Sequence, residues 1–248
     1  MAKNNVLILI PARFDSTRFP GKPLAKILGK PMIQWVYERS SNSYSDENNV
    51  SAYVVTDNLE IKSIVDDFGG NSCLISDETD SGTERIALAV SRHFKEDQFD
   101  LIINVQGDEP LITSEVVERL IDFHSKNNFD IATVVKKEAA IGNDPNRVKA
   151  VYCPSSGSCL YFSRANIPHD RDNIGTEFYA HIGIYSFKPE ALQKFCSFDK
   201  GFYEKMESLE QLRALENGQT IGAIEVDVNL QGVDTPEDIS KVEDKLNG

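Results

Sequence analysis

The chain has 248 residues, 40% of them hydrophobic and 26% charged, so it can bury a substantial core without help from disulfides. Asp and Glu total 39 against 26 Lys and Arg, and the formal charge of -13 disfavours nucleic acids and anionic membranes as partners. Four cysteines without a C-x-x-C pair, and no apolar run near the ~20 residues that cross a bilayer, predict a cytoplasmic protein with reduced thiols.

The first half of the chain alternates between two patterns, short apolar runs and segments with helical spacing. The predicted strands are residues 6–10, 51–56, 101–105 and 130–135. The predicted helices are residues 32–41, 59–68, 84–94 and 114–124. This alternation predicts a mostly parallel sheet with helices on both faces, in which the loops after Ile10, Thr56 and Val105 converge on one crevice.

The pattern changes at about residue 148. Three strands are predicted, at residues 148–153, 158–163 and 181–187, with few helical signals between them. We interpret residues 148–187 as a small antiparallel appendage within a single domain that spans residues 1–248. A helix at 204–216, a strand at 221–228 and a helix start at 235–238 follow.

A basic loop follows the first predicted strand. Residues 11–24 read PARFDSTRFPGKPL and combine two Arg and one Lys with small residues. Arg donates forked hydrogen bonds and Lys is a mobile point charge, so the loop suits a polyphosphate. The spacing of a Walker A loop is absent, and a solvated basic loop remains the alternative.

Two later segments are rich in carboxylates. Residues 104–110, NVQGDEP, follow a strand and contain Asp108 and Glu109, whereas residues 232–238, GVDTPED, contain Asp234. Carboxylate oxygens suit Mg²⁺, which typically uses one or two of them together with phosphate oxygens and water. Taken alone, Asp234 is most simply a helix N-cap.

Four further segments contain polar residues that could have either a functional or a structural role. Residues 81–85, SGTER, begin a helix whose amides favour anions, but the S-x-x-E spacing also fits a capping box. The others are LYFSRANIP at 160–168, HIGIY at 181–185 and SLEQLRAL at 208–215. Their alternatives are a surface ion pair for Arg164, a satisfied core histidine for His181, and solvated helix surface for Glu210 and Gln211.

Taken in the order in which they occur along the chain, from Val6 to Asp238, these motifs resemble those of the CMP-Kdo synthetases, the 3-deoxy-manno-octulosonate cytidylyltransferases. The resemblance implies an α/β fold of the nucleotidyltransferase type, Rossmann-like and similar to glycosyltransferase A. It also implies Mg²⁺ as cofactor, a homodimer, and CTP and an acidic 3-deoxy-octulosonic sugar as substrates. The products would be CMP-Kdo, used in lipopolysaccharide or capsule synthesis, and pyrophosphate.

The same resemblance implies roles for individual residues. Arg13 and Lys22 would hold the triphosphate, while Asp108 and Asp234 would bind Mg²⁺; these four are the predicted catalytic residues. The nucleotide would also contact Pro11, Ala12, Ser16, Ser81 and Gly82. The sugar would contact Gln106, Arg164, His181, Tyr185, Glu210 and Gln211, with Arg164 facing its carboxylate.

Two other functions are compatible with these motifs. One is a cytidylyltransferase for a related acid, such as 8-amino-Kdo or a sialic acid. The other is a catalytically silent protein that binds nucleotide sugars. Such a protein would have no need for both predicted metal ligands, Asp108 and Asp234, together with Arg13 and Lys22. Turnover with a panel of sugars separates these possibilities.

Overall fold

The computed structural model describes residues 3–15, 19–42, 44–95, 98–139, 144–172, 177–228 and 230–247. The chain divides into two compact units: unit 1 comprises residues 1–118 and 229–248, and unit 2 comprises residues 119–228. The single domain predicted for residues 1–248 stays a prediction. Within the described ranges, no helix combines the length and the apolar character needed to cross a membrane. All four cysteines are free thiols.

Unit 1 contains a parallel sheet and a small antiparallel hairpin. Its strands are β1 (Asn4–Ala12), β2 (Lys26–Ile27), β3 (Lys30–Pro31), β4 (Asn48–Thr56), β5 (Ser72–Leu74) and β6 (Leu101–Val105). The strand order is β5-β4-β1-β6, and each neighbouring pair is parallel. Strands β2 and β3 form the hairpin. The predicted parallel sheet is therefore present in this unit.

Helices separate the strands of unit 1, as the alternating pattern predicts. They are α1 (Met32–Ser41), α2 (Leu59–Asp67), α3 (Gly82–His93), the start of α4 (Ser114–Lys126) and, near the end of the chain, α8 (Glu237–Asn247). Strand β1 is continuously apolar from Val6 to Ile10, and all five side chains are fully buried. A run of this kind fits a central parallel strand that is covered on both faces. Strand β5 was not predicted, because three residues are too few to show a period.

A cluster of buried apolar residues brings distant parts of unit 1 together. It contains Ile27, Met32, Leu111, Val233 and Val242. Val233 precedes Asp234 directly, and Leu111 follows the 104–110 segment directly. Burial of these side chains therefore places the two carboxylate-rich segments side by side.

Unit 2 contains a mixed sheet and not a mostly parallel one, and the antiparallel pairing predicted within residues 148–187 is confirmed. Its strands are β7 (Ile131–Ala139), β8 (Lys149–Cys153), β9 (Ser158–Ser163), β10 (Glu177–Phe187) and β11 (Ile221–Glu225), in the order β10-β7-β11-β9-β8. Strand β7 pairs antiparallel with β10 and parallel with β11, and β8 pairs antiparallel with β9. The strands of the predicted appendage thus belong to the same sheet as β7 and β11.

The helices of unit 2 also differ from the prediction. They are α5 (Pro189–Ser197), α6 (Phe202–Glu207) and α7 (Gln211–Glu216). Helix α5 was not predicted. The single helix predicted at 204–216 is broken, because Ser208 adopts a left-handed conformation with φ of 51° and caps α6.

His124 is buried on α4, and the pKa of its imidazole should make the stability of unit 2 depend on pH. Nε2 lies 3.0 Å from the carbonyl oxygen of Phe129, and Nδ1 lies 2.6 Å from Oγ of Ser186. The carbonyl can only accept, so Nε2 carries the proton and Nδ1 accepts from the Ser186 hydroxyl. Burial lowers the pKa of His124 from 6.5 to about 4.

We expect His124 to contribute stability above pH 6.5 that is lost as the pH falls to about 4, because only the unfolded state binds a proton in this window. The loss should be about 3 kcal/mol. Denaturant unfolding at pH 7 and pH 4.5 measures it, and His124→Gln should flatten the difference. His93→Gln is the control, since His93 is exposed on α3. Equal pH dependence in both variants would contradict the expectation.

Candidate active site

A cavity of about 380 Å³ lies in unit 1 at the carboxyl ends of β1 and β6 and the start of α3. Eight of the predicted site residues line it: Pro11, Ala12, Arg13, Lys22, Ser81, Gly82, Gln106 and Asp108. Asp15, Pro23, Asp80 and Gly107 line it as well. The predicted convergence of the loops after Ile10 and Val105 is confirmed. The loop after Thr56 does not contribute a lining residue, and Ser16 lies outside the described residues.

Two glycines allow the walls of this cavity to approach Pro11. A Cβ on Gly107 would lie 2.6 Å from the carbonyl oxygen of Pro11, which is closer than real Cβ atoms come to backbone. A Cβ on Gly82 would lie 3.0 Å from the Pro11 ring. The end of β1 therefore contacts both the 104–110 segment and α3 directly.

The start of α3 presents backbone amides at the cavity wall. Ser81 has extended backbone, and its Oγ accepts a hydrogen bond from the Glu84 amide at 3.2 Å. The Glu84 carboxylate in turn accepts from the amide of Asp80 at 2.8 Å. The capping function predicted for Ser81 is confirmed. An anion at this end of the helix would be favoured by the helix dipole.

Lys22 connects the basic loop to both carboxylate-rich segments. Its Nζ lies 2.5 Å from Oδ2 of Asp108 and donates to the carbonyl oxygen of Val233 at 3.0 Å. The amide of Val233 donates to the carbonyl oxygen of Asp108 at 2.9 Å. Arg13, further along the wall, donates from Nη2 to Oγ1 of Thr79 at 3.2 Å. These bonds place Asp108 and the residue before Asp234 on directly joined backbone segments.

The side chain of Asp238 is bonded to the backbone that precedes α8. The Asp238 carboxylate accepts from the amides of Asp234 and Thr235, at 3.1 and 3.0 Å, at the start of α8. Burial raises the pKa of Asp238, but the bonds from Lys241 and from these amides outweigh burial and lower it to about 2. The Asp234 residue itself is exposed.

The donor set around Asp108 and Asp234 fits Mg²⁺. Both are hard oxygen donors, they lie on joined segments, and the side chain of Asp108 retains 33% of its exposure. Among the described ranges, no three His, Cys, Asp or Glu side chains are grouped closely enough to hold a metal by themselves. Two carboxylates completed by phosphate oxygens and water are the usual protein contribution to a Mg²⁺ site of this type. The assignment of these residues to Mg²⁺ stays a prediction.

The predicted sugar residues other than Gln106 lie in unit 2, where His181 and Tyr185 pack together on β10. Their ring centroids are 5.4 Å apart. Nε2 of His181 lies 2.9 Å from Oγ1 of Thr133, whose hydroxyl donates to the carbonyl oxygen of Ile184 at 2.7 Å. His181 therefore donates from Nε2, and burial lowers its pKa to about 3. The ring is neutral at physiological pH and Nε2 is bonded within the protein, but the residue is only partly buried, so its predicted contact with the sugar stays a prediction.

Glu210 and Gln211 do not form a solvated helix surface. Gln211 is only 4% exposed and Glu210 is partly buried. Burial, and after it the charge of Glu210, raise the pKa of Tyr185 well above its usual value, so Tyr185 keeps its proton. The alternative of a solvated helix surface is therefore wrong for Gln211, and the charge of Glu210 is close enough to Tyr185 to raise its pKa.

Arg164 joins separate segments of unit 2 through main-chain carbonyls. Its Nε, Nη1 and Nη2 donate to the carbonyl oxygens of Glu207, Pro145 and Ser208 at 2.6, 2.9 and 3.1 Å. Its amide also donates to the Glu207 carboxylate at 2.9 Å. The guanidinium thus lies beside the segment that leads to Glu210. Its predicted contact with a sugar carboxylate stays a prediction.

Sequence reasoning did not identify two cations as buried, Lys149 in unit 2 and Arg85 in unit 1. Lys149 is fully buried, and its Nζ donates to the carbonyl oxygens of Asp144 and Arg164 at 2.8 and 2.9 Å. Arg85 is 2% exposed and pairs with Asp57. Lys149 belongs to no motif, whereas Arg85 is the last residue of the 81–85 segment, in which only Ser81 and Gly82 are predicted to contact the nucleotide. A charged residue inside a predicted strand or on the apolar side of a helix is the one signal that could have identified them.

Comparison with known proteins identifies relatives over the whole chain. A family model described as Cytidylyltransferase matches residues 7–221. The 8-amino-3,8-dideoxy-manno-octulosonate cytidylyltransferase of Shewanella pealeana is 46% identical over 247 residues, covering 98% of both chains. The 3-deoxy-manno-octulosonate cytidylyltransferase of Photobacterium profundum is 42% identical over 246 residues, covering 95% of this chain and 96% of the relative.

Solved structures show the same relationship. The structure of CMP:2-keto-3-deoxy-manno-octonic acid synthetase complexed with CTP matches with a TM-score of 0.90 at 35% identity, covering 98% of both chains. A cytidylyltransferase from Leptospira borgpetersenii matches with a TM-score of 0.63 at 19% identity, covering 98% of this chain and 86% of the other. At that identity the second likeness concerns the fold alone.

Proposed function

The chain belongs to the cytidylyltransferase family, and on that premise we propose that it transfers CMP from CTP to 3-deoxy-D-manno-octulosonate. The anomeric hydroxyl of the sugar attacks the α-phosphorus, the bond to the β-phosphate oxygen breaks, and pyrophosphate leaves. The observation that carries this proposal is the Lys22–Asp108 pair in a cavity lined by the basic loop, with Lys22 also bonded to Val233, the residue before Asp234. The names of the Photobacterium profundum relative and of the CTP complex support it.

The reaction brings two anions together, and the cations of the cavity offset the repulsion between them. Arg13 and Lys22 donate to triphosphate oxygens, while the amides at the start of α3 add the favourable end of a helix dipole. Asp108 and Asp234 would hold Mg²⁺, which when bound neutralises charge on the phosphate oxygens and on the departing pyrophosphate. Asp108 also holds the ammonium of Lys22 against the cavity wall. Positioning and charge stabilisation together account for the catalysis proposed.

In this proposal, residues of unit 2 orient the sugar. Arg164 supplies the positive charge for the sugar carboxylate, because neutral His181 offers only hydrogen bonding. Protonated Tyr185 and the amide of Gln211 address hydroxyl groups, and Glu210 accepts from them. A sugar without the carboxylate should therefore be a poor acceptor.

A second candidate substrate is 8-amino-Kdo. The Shewanella relatives named for the 8-amino sugar are 44–46% identical to the chain, against 42% for the relative named for Kdo. The two sugars differ at C8, where an ammonium replaces a hydroxyl. The transfer chemistry is the same for both.

Pyrophosphate release with CTP and Mg²⁺ tests the proposal, with Kdo, 8-amino-Kdo and a sialic acid as separate acceptors. Release that is most efficient with Kdo, judged by kcat/KM, supports the main assignment. Preference for another acid would support cytidylyl transfer but assign a different sugar substrate. Binding of CTP without release for any acceptor would contradict the activity and favour a nucleotide-binding protein.

We also propose that the protein is a cytoplasmic homodimer whose product enters lipopolysaccharide or capsule synthesis. Helix α6 exposes three large apolar side chains: Phe202 at 65%, Tyr203 at 49% and Met206 at 71%. Neighbouring apolar side chains at such exposure favour association. Sedimentation velocity at micromolar concentration should give twice the chain mass of 27.7 kDa, and a single monomer boundary would contradict the dimer.

A further inference from the structure

Arg85 is a buried cation beside the cavity wall that the reaction described above does not use. It lies on α3, four residues after Ser81, and is 2% exposed. Its Nη2 lies 2.8 Å from Oδ2 of Asp57, and its Nη1 donates to the carbonyl oxygen of Ile75 at 2.7 Å. Arg85 therefore holds the residue that follows β4 and the residue that follows β5.

The segment from Ile75 to Ser81 connects these anchors to the cavity. It begins at Ile75, whose amide donates to the carbonyl oxygen of Thr56 at 2.8 Å. It continues through Thr79, whose Oγ1 accepts from Arg13 Nη2 at 3.2 Å. It ends at Ser81, which lines the cavity and caps α3. The position of the Arg13 guanidinium thus depends on a segment that Arg85 fixes at its start.

The charge of Arg85 interacts with those of Asp57 and Arg13. Burial lowers the pKa of Arg85, Asp57 raises it, and the positive charge of Arg13 lowers it again. Arg13 and Arg85 therefore interact as like charges, and Asp57 compensates one of them. A buried guanidinium with two fixed acceptors has one preferred position, whereas a Lys at this site has a single mobile nitrogen and cannot reproduce the two-pronged contact.

We propose that Arg85 is a positioning residue for CTP, which fixes the 75–81 segment through Asp57 and Ile75 and so places Arg13 and Ser81 at the triphosphate. This inference rests on the proposed function, since it assumes that CTP occupies the cavity. Arg85 does not line the cavity itself and acts through other residues.

The test measures CTP binding calorimetrically, without sugar, for the native protein and for Arg85→Lys. Losing one hydrogen bond to a charged group should weaken CTP binding roughly tenfold or more. In the turnover assay, the KM for CTP should rise by a similar factor, while the KM for the sugar stays within about twofold. Asp57→Asn keeps the shape of the acceptor but removes its charge, so it should weaken CTP binding by a smaller factor. It provides a second variant if Arg85→Lys folds poorly.

The matched control is Arg92→Lys. Arg92 lies on the same helix and pairs with Asp77 of the same segment, but that pair is exposed, so its loss should change CTP binding less than about twofold. If Arg85→Lys binds CTP as Arg92→Lys does, or raises both KM values equally, the inference is overturned. If the native protein does not bind CTP, the proposed function itself fails.

Discussion

Replacing Asp108 by Asn is expected to lower the rate of pyrophosphate release by about a thousandfold, while the protein remains folded. The change keeps the side-chain shape but removes the charge that Lys22 contacts at 2.5 Å. It also removes one of the two carboxylates proposed to hold Mg²⁺. Because a negative charge beside the triphosphate is lost, CTP binding without metal should be unchanged or tighter.

Asp66→Asn is the matched control for this experiment. Asp66 also pairs with a lysine, Lys62, at 2.6 Å, but both lie on α2, outside the cavity lining. Its turnover should remain within about twofold of the native rate, because exposed pairs of this kind contribute little. Both variants should be assayed across a range of Mg²⁺ concentrations. Turnover of Asp108→Asn within tenfold of native, at any Mg²⁺ concentration, would contradict the role assigned to Asp108.

Replacing Arg213 by Met is expected to destabilise the region of α6 and α7 by about 3–5 kcal/mol. Arg213 donates from Nε and Nη2 to the two carboxylate oxygens of Glu204, at 2.8 and 2.6 Å. Both side chains are buried, with 3% and 9% exposure, and the guanidinium lies 4.8 Å from the ring of Phe195. Removing the arginine leaves the Glu204 carboxylate buried without its main partner, which costs more than the pair contributes.

Hydrogen exchange of the amides in residues 202–216 measures this effect locally, so it does not depend on how the whole chain unfolds. The double variant Arg213→Met with Glu204→Leu should recover much of the loss, because no uncompensated charge remains. Lys137→Met, which breaks the exposed pair with Glu177, should change protection by less than about 1 kcal/mol. Equal effects of the buried and exposed changes would contradict this account.

The sequence by itself predicted the parts of the fold that depend on local pattern. Helix α1 begins and ends at the predicted residues, and β6 and β9 match their predicted bounds. The convergence of the loops after Ile10 and Val105 also followed from sequence, because parallel strands end at the same edge of a sheet. For that reason the strand pattern alone was enough to expect Arg13, Gln106 and Asp108 at one cavity.

Features that depend on contacts between distant residues were not available from the sequence. The pairing of β7 with antiparallel β10 and parallel β11 was missed, because an extended segment has the same side-chain period in either direction. The break at Ser208 was missed because the helical spacing continues across it. The buried positions of Lys149 and Arg85 reflect their partners, which lie in other segments of the chain.

The sequence therefore determined which chemical groups the protein has and, through strand and helix periodicity, where along the chain most of them are presented. Only the tertiary structure decided that Lys22 contacts Asp108 and Val233, and that the carboxylate of Asp238 accepts from the amides of Asp234 and Thr235. It likewise decided that Arg164 is held by three carbonyl groups. The reason is physical: periodicity records which face of one element is buried, whereas a hydrogen bond between segments depends on how the burial of many side chains brings those segments together.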